Sequence, residues 1–393
     1  MRRDPLEFLG VELEFLKTQG LYRRLRVLEA EQKPTTTIDH KSVVNLSSNN
    51  YLGLTTHPRL RQRALDAINR LGVGTGSVRT IAGTMDIHLE LEERLATFKR
   101  TEAAVVFQSG FAANAGTVSA ILTKDDVVVS DELNHASIID GARLSRAETK
   151  VFPHKDIDAA RTILRQLPAK QRKLLITDGV FSMDGDLGPL PGLCSLAEEF
   201  GCIMMVDDAH ASGVFGQNGR GTVDHFGVHG RVDVQVGTLS KAIGVLGGYV
   251  AGSRSLIDFL YHRARPFLFS TSHPPAVAAA CIAALDVLLD EPQLIDRLWD
   301  NTRFFKDGLR ALGFDTGMSE GPITPVIVGD APRAMTLSDR LFARGVFAQG
   351  IGFPTVPRER ARVRTIVTAT HTREELQFAL DAFEQVGREL SII

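Results

Sequence analysis

From about Val43 onward, short apolar runs alternate with longer stretches in which apolar residues recur at helical spacing. The short runs predict β-strands with the sequences AAVVF, DVVVS, KLLITD, CIMMVD, VQVG and GGYVAG. The stretches between several of them predict helices with the sequences FAANAGTVSAIL, DIDAARTILRQL and LCSLAEEFG. This alternation is typical of an α/β protein with a mostly parallel, doubly wound sheet that carries helices on both faces.

The two ends of the chain differ from this central pattern. Near the N-terminus, leucines at helical spacing predict an amphipathic helix over residues 5–20, followed by a polar segment, EAEQKPTTTIDHK. After FLFSTSHPP, a long helical stretch leads into a strand, helix, strand, helix pattern, which predicts a smaller α+β domain. We therefore expect an N-terminal helix and arm over residues 1–46, a large domain over 47–285 and a small domain over 286–393.

The composition is that of an ordinary globular protein, because 44% of the 393 residues are hydrophobic, 23% are charged and the formal net charge is −2. This balance gives no basis for binding nucleic acid or a membrane surface. The three cysteines form no C-x-x-C motif, so we expect neither a disulfide framework nor a metal site. The N-terminus has no apolar signal-peptide core, and the longest uncharged apolar run is too short to span a bilayer. We expect a cytoplasmic protein.

Polar residues whose side chains can take part in catalysis or ligand binding directly follow the predicted strands. These residues are Asp207 and His210 after CIMMV, Ser182 after KLLITDGVF, and Thr238 and Lys241 after VQVG. In a doubly wound sheet, ligands bind outside the carboxyl ends of the strands. Each residue also fits an ordinary role, because Asp and Ser often cap helices and Lys is usually solvated. An acid buried at a strand end, however, needs a cation or a strong donor, and a protonated ring nitrogen would satisfy it.

Glycine-rich segments add a second signal. Ser109 and Gly110 lie between a predicted strand and a predicted helix, where backbone N–H groups can face a phosphate; the alternative is an ordinary turn. The segment LGVGTGSVRTIAGT departs from the dinucleotide-binding fingerprint, because Ser77 stands where glycine is needed and no strand precedes it. His135 begins a predicted helix and Asn50 lies in a predicted turn, and both also fit purely structural roles.

Taken in order, these motifs resemble those of the α-oxoamine synthase family, a branch of the fold-type I aminotransferase-like enzymes that use pyridoxal 5'-phosphate. The motifs are NNYLGL, GTGSVRTIAGT, SDELNHASIIDG, TDGVFSMDGD, VDDAH, TLSKA, FLFSTS and RVRTIVTATHT. The resemblance covers nearly the whole chain. It implies an α/β fold like that of aspartate aminotransferase, with a mostly parallel seven-stranded sheet in the large domain and a smaller C-terminal α+β domain.

The resemblance implies roles for the residues around the cofactor ring. Lys241 matches the lysine that forms a Schiff base with pyridoxal phosphate, and Asp207 matches the acid that holds the proton on the ring nitrogen. His210 matches the donor to the ring hydroxyl, and Ser182 matches a second group near that hydroxyl. His135 matches the histidine that stacks on the ring and assists the chemistry.

Other matches concern the phosphate and the substrate. Contacts to the phosphate and the ring edge are expected from Ser109, Gly110, Phe111 and Thr238. The other subunit of a homodimer is expected to contribute a phosphate contact through Ser270 and Thr271. Asn50 and Arg364 match the residues that hold the carboxylate of the amino-acid substrate. The chain departs from the family at Asp208, where glutamate is common, but that position is not the partner of the ring nitrogen.

The family condenses a small amino acid with an acyl-CoA. Within it, Asp178 and the segments NHASIIDG and VPRERARVR most resemble glycine C-acetyltransferase (2-amino-3-ketobutyrate CoA ligase), which joins glycine to acetyl-CoA. The alternative is 8-amino-7-oxononanoate synthase, which condenses L-alanine with a pimeloyl thioester and loses CO2 in biotin synthesis; an enzyme with both activities also fits. Outside the family, a plain aminotransferase would share Lys241 and Asp207 but would need no acyl-CoA.

Overall fold

The computed structural model describes residues 4–18, 22 and 24–393. Its α-helices are α1 (Glu7–Thr18), α2 (Pro58–Leu71), α3 (Asp86–Lys99), α4 (Gly110–Ile121), α5 (Ala136–Ser145), α6 (Ile157–Gln166), α7 (Leu190–Phe200), α8 (Thr222–His225), α9 (Arg254–Arg263), α10 (Arg265–Leu268), α11 (Pro275–Asp290), α12 (Gln293–Ala311), α13 (Ala331–Ala343) and α14 (Arg373–Glu389). Its β-strands are β1 (Thr35–Ile38), β2 (Lys41–Asn45), β3 (Ala103–Phe107), β4 (Val127–Asp131), β5 (Glu148–Phe152), β6 (Lys173–Asp178), β7 (Ile203–Asp207), β8 (Val234–Thr238), β9 (Gly248–Gly252), β10 (Ile323–Gly329), β11 (Val346–Phe347), β12 (Gln349–Ile351) and β13 (Ala361–Ile366).

A seven-stranded sheet in the order β3-β9-β8-β7-β6-β4-β5 forms the centre of the molecule. The strands from β8 to β5 pair in parallel, and β9 runs antiparallel to both of its neighbours. The inner strands are buried on both faces, which explains their continuous apolar runs. The prediction of a mostly parallel, doubly wound sheet is therefore confirmed. The edge strand β5 was not predicted, because its sequence ETKVF is largely exposed and carries little apolar signal.

Two smaller sheets lie outside the central one. The antiparallel sheet β10-β13-β12 belongs to the C-terminal part of the chain. The hairpin β1-β2 pairs in parallel with β11 and so joins the N-terminal part to the C-terminal part. Asp39 and His40 connect the hairpin with φ values of 48° and 62°, as the tight turn of a two-residue hairpin requires. The segment predicted only as polar thus contains a strand, because threonine is polar yet has the branched side chain that strands favour.

Helix boundaries agree with the predictions in part. The N-terminal amphipathic helix forms as α1, but none of its residues is buried, and its predicted end at Gly20 lies outside the described residues. Helical spacing in TLSDRLFARG predicts a helix that begins at Thr336. Helix α13 begins five residues earlier, because the Asp330 side chain accepts a hydrogen bond from the backbone N–H of Arg333 and caps the helix. Helix α11 continues through the predicted domain boundary at residues 285 and 286. The three domain ranges stay a prediction.

The packing of the helices leaves one edge of the central sheet for the candidate site. Apolar side chains form separate buried clusters on the two faces of the sheet, and a third cluster extends into the C-terminal part of the chain. The carboxyl ends of β6, β7 and β8 therefore lie together at an edge bordered by helix N-termini. Among the described residues, no helix has both the length and the apolar character that crossing a membrane requires.

Candidate active site

Two acids and a hydroxyl end three neighbouring strands. Asp178 ends β6, Asp207 ends β7 and Thr238 ends β8. The register pairs Asp178 with Asp207 directly, and Asp207 with Val236, two residues before Thr238. The structure therefore brings together the strand-end residues that the sequence predicted to meet.

Asp207 is buried and well supplied with donors. Its carboxylate accepts a hydrogen bond of 2.6 Å from Asn114 Nδ2 and one of 2.8 Å from the backbone N–H of Ala209. In the described part of the chain, no salt bridge neutralises this carboxylate. Neutral donors hold the side chain in place while leaving its negative charge available to a cationic ring nitrogen.

Asp178 is a second buried acid beside Asp207. Burial raises its pKa well above the ordinary value, and the charge of Asp207 raises it further. The nearby amine of Lys241 opposes this shift, as does a 2.9 Å hydrogen bond from the backbone N–H of His135 to Asp178 Oδ2. Asp178 can therefore hold a proton more readily than an isolated carboxyl group does.

The amine of Lys241 lies in a partly dehydrated environment. Burial lowers its pKa to about 8, although the charges of Asp207 and Asp178 act in the opposite direction and Arg364 adds to the lowering. More of this amine is therefore neutral near neutral pH than of a solvent-exposed lysine. Only the neutral form can attack an aldehyde carbon or accept a proton.

His135 precedes α5 and caps it. Its Nδ1 accepts a hydrogen bond of 3.2 Å from the backbone N–H of Ser137. The side chain is exposed in the single chain, so one face of the ring is free to stack on a planar group. Desolvation of the enclosed part of the ring lowers the pKa of His135; the charge of Asp207 opposes this shift, and that of Lys241 supports it. The imidazole is accordingly neutral at neutral pH.

His210 is buried beside Tyr51. The Tyr51 hydroxyl lies 2.7 Å from His210 Nδ1, and the two rings meet edge to face at an angle of 82°. Burial lowers the pKa of His210 well below its ordinary value, and the charges of Lys241 and Arg364 lower it further. The contact with Tyr51 fixes the ring orientation, so the other ring nitrogen can act toward a bound ligand.

The start of α4 and the end of β8 form one end of the site. Ser109 caps α4 through its hydroxyl, and the N-terminal N–H groups of this 12-residue helix are available beside it. A Cβ on Gly110 would lie 3.3 Å from Thr238 Cβ, so glycine allows the helix to approach Thr238 closely. Thr238 Oγ1 donates to the carbonyl of Gly247 at 2.8 Å. Phe111 follows with 47% of its surface exposed.

Two arginines of β13 reach the loop that follows β6. Arg364 donates to the Ser182 carbonyl at 3.0 Å, and burial lowers its pKa. Arg362 is almost fully buried and donates to Asp184 at 2.7 Å and to the Met183 carbonyl at 2.9 Å. The C-terminal sheet thus carries the Arg364 guanidinium to the loop beside the site, and its role toward a substrate carboxylate stays a prediction.

The structure gives Asn50 and Thr271 local partners. Asn50 is buried, and its amide donates to Thr55 Oγ1 at 2.7 Å, which holds the turn after β2. The Thr271 carbonyl accepts a hydrogen bond of 2.7 Å from Gln108, so Thr271 and the adjacent Ser270 lie beside the start of α4. Their roles toward substrate and toward the partner subunit's cofactor stay predictions.

Several residues of the site were not found from the sequence. These residues are Tyr51, Asn114, Ser137 and Arg362. Asn114 had a recognisable signal, because it is a polar residue within the small, apolar helix sequence FAANAG. Tyr51 lies within the motif NNYLGL, from which only Asn50 was predicted as a site residue.

The donor set fits pyridoxal phosphate. Asp207 can pair with its cationic ring nitrogen, the buried amine of Lys241 can join its aldehyde, and His210 can contact its hydroxyl. Ser109 and the N-terminal N–H groups of α4 can bind its phosphate. Thr238, whose hydroxyl hydrogen points to the Gly247 carbonyl, can join them by rotating that hydrogen toward the phosphate. Cation, aldehyde, hydroxyl and phosphate each find a matching group.

Comparisons with known proteins agree with this fit. The family profile of class I and II aminotransferases matches residues 41–383. The chain is 61% identical over 388 residues to 8-amino-7-oxononanoate synthase of Symbiobacterium thermophilum, a match that covers 98% of this chain and 99% of the relative. It is 57% identical over 387 residues to 8-amino-7-oxononanoate synthase 1 of Bacillus subtilis, with coverage of 98% and 99%.

Solved structures show the same fold. Serine palmitoyltransferase of Sphingomonas wittichii is 32% identical, with a TM-score of 0.94 and 99% coverage of both chains. A serine palmitoyltransferase structure with pyridoxal phosphate as an internal aldimine has the same identity and TM-score over 100% of both chains. The 8-amino-7-oxononanoate synthase of Francisella tularensis is 26% identical, with a TM-score of 0.76 over 89% of this chain and 99% of that chain.

Proposed function

Because this chain belongs to the aminotransferase class I and II family and, within it, to the pyridoxal-phosphate-dependent α-oxoamine synthases, we propose that it condenses L-alanine with a pimeloyl thioester to 8-amino-7-oxononanoate. The observation that carries the proposal is the 61% identity, over 98% of the chain, to a relative with this activity in its name. The first choice from the motifs, glycine with acetyl-CoA, has no support among these relatives, whose names agree with the alternative.

The acid and the amine prepare the amino acid for reaction. Pyridoxal phosphate, when bound, withdraws electrons from the Cα–H bond of an amino acid joined to it. Asp207 keeps the ring nitrogen protonated, because its buried negative charge favours the cationic form. Lys241, with its pKa lowered to about 8, accepts the Cα proton in its neutral form. Arg364 binds the substrate carboxylate until it leaves as CO2, and a proton then returns to Cα, for which protonated Lys241 is a donor.

The thioester reacts where His135 can reach it. The Cα of the amino acid attacks the thioester carbonyl, a C–C bond forms, and the thiol leaves. Negative charge develops on the carbonyl oxygen during this step, and a neutral imidazole with an N–H group can stabilise it. His135 is exposed in the single chain, the charges of Asp207 and Lys241 act on its pKa, and the ring is neutral at neutral pH, as this role requires.

A comparative assay of thiol release tests the proposed substrates. L-alanine with pimeloyl-CoA is expected to release free thiol and CO2, and mass spectrometry should find 8-amino-7-oxononanoate. Lys241→Ala is the control that should abolish the reaction. Thiol release only from glycine with acetyl-CoA would contradict the proposal, and conversion of alanine to pyruvate without any thioester would favour a plain aminotransferase.

We also propose that two copies of the chain share their sites in a homodimer. Three apolar side chains on the two segments that contain Val78 and Thr271 are largely exposed: Val73 at 79%, Ile81 at 82% and Phe269 at 70%. Val78 and Thr271 themselves pair in an isolated bridge, which brings the two segments together. Exposed apolar groups around a predicted shared phosphate contact are typical of an interface.

Sedimentation tests this assembly. The wild-type chain is expected to sediment as a dimer, whereas Phe269→Asp is expected to shift it toward the monomer and to weaken cofactor binding. Met318→Asp is the matched control, because Met318 is 81% exposed and lies outside the proposed interface. A fully active wild-type monomer would contradict the shared site.

A further inference from the structure

A continuous chain of hydrogen bonds joins Asp207 to His135. Asn114 Nδ2 donates to Asp207 Oδ2 at 2.6 Å and to Ser137 Oγ at 2.9 Å. Ser137 Oγ lies 2.7 Å from His135 Nδ1, and the Ser137 backbone N–H donates to the same nitrogen at 3.2 Å. Asn114 and Ser137 are each only 1% exposed, so water does not compete for these bonds.

The hydrogen bonds of this network can run in only one direction. Asp207 as a carboxylate can only accept, so the amide nitrogen of Asn114, rather than its oxygen, must face it. That nitrogen has two hydrogens, and the second is directed to Ser137 Oγ. The backbone N–H of Ser137 can only donate, so His135 Nδ1 must be an acceptor without a proton. The Ser137 hydroxyl hydrogen then also points to Nδ1.

We propose that Asn114 and Ser137 are positioning residues that hold neutral His135 in the tautomer with its proton on Nε2. The ring then has one donor, Nε2–H, and its Nδ1 is occupied by the start of α5. Two donors at Nδ1 oppose protonation there, in agreement with the lowered pKa of His135. The catalytic meaning of this donor rests on the proposed function, because Nε2–H would stabilise the carbonyl oxygen of the thioester.

The same amide links the two ends of the network. Asp207 holds the amide of Asn114 by accepting one of its hydrogens. The other amide hydrogen goes to Ser137 Oγ, which leaves the Ser137 hydroxyl hydrogen free to point toward His135. The acid that would bind the ring nitrogen thereby reinforces, through Asn114 and the Ser137 hydroxyl, the tautomer that the Ser137 backbone N–H also favours. A wrong tautomer is costly in enzymes that depend on one ring nitrogen, even when the geometry is intact.

Nitrogen NMR of the full-length chain labelled at histidine tests the tautomer directly. The His135 signal is identified by its loss in His135→Gln. In the wild type, Nε2 is expected to show the shift of a protonated nitrogen and Nδ1 that of an unprotonated one. Ser137→Ala keeps the longer backbone donor at Nδ1 (3.2 Å) but loses the shorter hydroxyl donor (2.7 Å), so it is expected to raise the pKa of His135 and to move both shifts part of the way toward a mixture of tautomers. Ser137→Thr is expected to restore the wild-type shifts.

Ser145→Ala is the matched control, because Ser145 is a buried serine on the same helix whose hydroxyl donates within its own turn. It should leave the His135 shifts unchanged. Asn114→Leu should change them as Ser137→Ala does, with Thr117→Val on α4 as its control, since the buried Thr117 hydroxyl has no hydrogen-bond partner among the described residues. If Asn114→Leu does not fold, the wild type and Ser137→Ala still decide. A wild-type proton on Nδ1, or unchanged shifts in Ser137→Ala, would overturn the proposal.

Kinetics give a second readout. Ser137→Ala is expected to lower kcat about tenfold with little change in KM, and to move the acidic limb of the pH profile with the pKa of His135. Unchanged kcat and pH profile would overturn the catalytic meaning. The NMR result does not depend on substrates, so the two proposals can fail separately. The thiol-release assay can contradict the proposed substrates while NMR supports the tautomer, and NMR can contradict the tautomer while the assay supports the substrates.

Discussion

Replacement of His154 by glutamine measures how much a doubly paired imidazolium stabilises this fold. His154 Nδ1 lies 3.0 Å from Asp131 Oδ1, and Nε2 lies 2.9 Å from Asp186 Oδ2. The ring also packs edge-on against Phe181 at 4.4 Å between centroids. Through these two contacts, His154 links the ends of β4 and β5 to the loop that follows β6, next to the candidate site.

The pKa of His154 determines the magnitude. Burial alone would lower it, but hydrogen bonds from the ring to Asp131 and Asp186, together with their charges, raise it from 6.5 to about 9. At about 1.4 kcal/mol per pH unit, this rise corresponds to about 3 kcal/mol of stability. Because the pKa is raised on folding, the contribution is fully present below pH 6.5 and is lost as the pH rises through about 9.

Other groups titrate in the same range with the opposite sign. Burial lowers the pKa values of Lys241 and Lys306 to about 8, so their effect on stability becomes more favourable as the pH rises above that value. The pH profile of the wild type therefore mixes both effects. The difference between the wild type and His154→Gln removes the lysine contributions and isolates His154.

Urea unfolding of both chains between about pH 6 and pH 9.5 is the assay. The wild type is expected to exceed His154→Gln in unfolding free energy by about 3 kcal/mol more at the acidic end than at the alkaline end. His262→Gln, which removes an exposed histidine, should show no such pH-dependent difference. A difference between wild type and His154→Gln that is constant across this range would refute the reasoning.

Three further predictions concern single side chains. In the wild type, the Lys99 ammonium lies 2.9 Å from the fully buried carboxylate of Asp208, and Lys99→Met leaves this carboxylate without a cation. The free energy of unfolding in urea should fall by about 3–5 kcal/mol, whereas replacement of the exposed Lys124 by Met should lower it by less than about 0.5 kcal/mol. Arg364→Lys loses the planar fork and should raise KM for the amino acid about tenfold or more while KM for the thioester stays the same, and an equal rise in both constants would argue against carboxylate binding. Asp207→Asn removes the charge opposite the ring nitrogen and should lower kcat at least about a hundredfold, and near-normal turnover would contradict this role.

Much of the central fold and of the site was predictable from local sequence. The strand β7 and its terminal Asp207 were recognisable because a strand buried on both faces needs a continuous apolar run, after which a charged residue stands out. The edge strand β5 and the threonine-rich β1 were missed, because strands exposed on one face or built from polar β-branched residues lack that run. Helix α1 was predicted from its helical spacing, but the spacing did not indicate that none of its residues is buried in the single chain.

By itself, the sequence determined the class of fold and the set of reactive groups, because both follow from apolar periodicity and from residue types at strand ends. Only the tertiary structure decided which polar atoms meet. Asn114 and Asp207 are 93 positions apart, and Arg362 and Asp184 are 178 apart, yet each pair forms a hydrogen bond shorter than 3 Å. Hydrogen bonds and pKa values depend on distances and burial that arise when distant segments pack, so no local pattern in the sequence carries them.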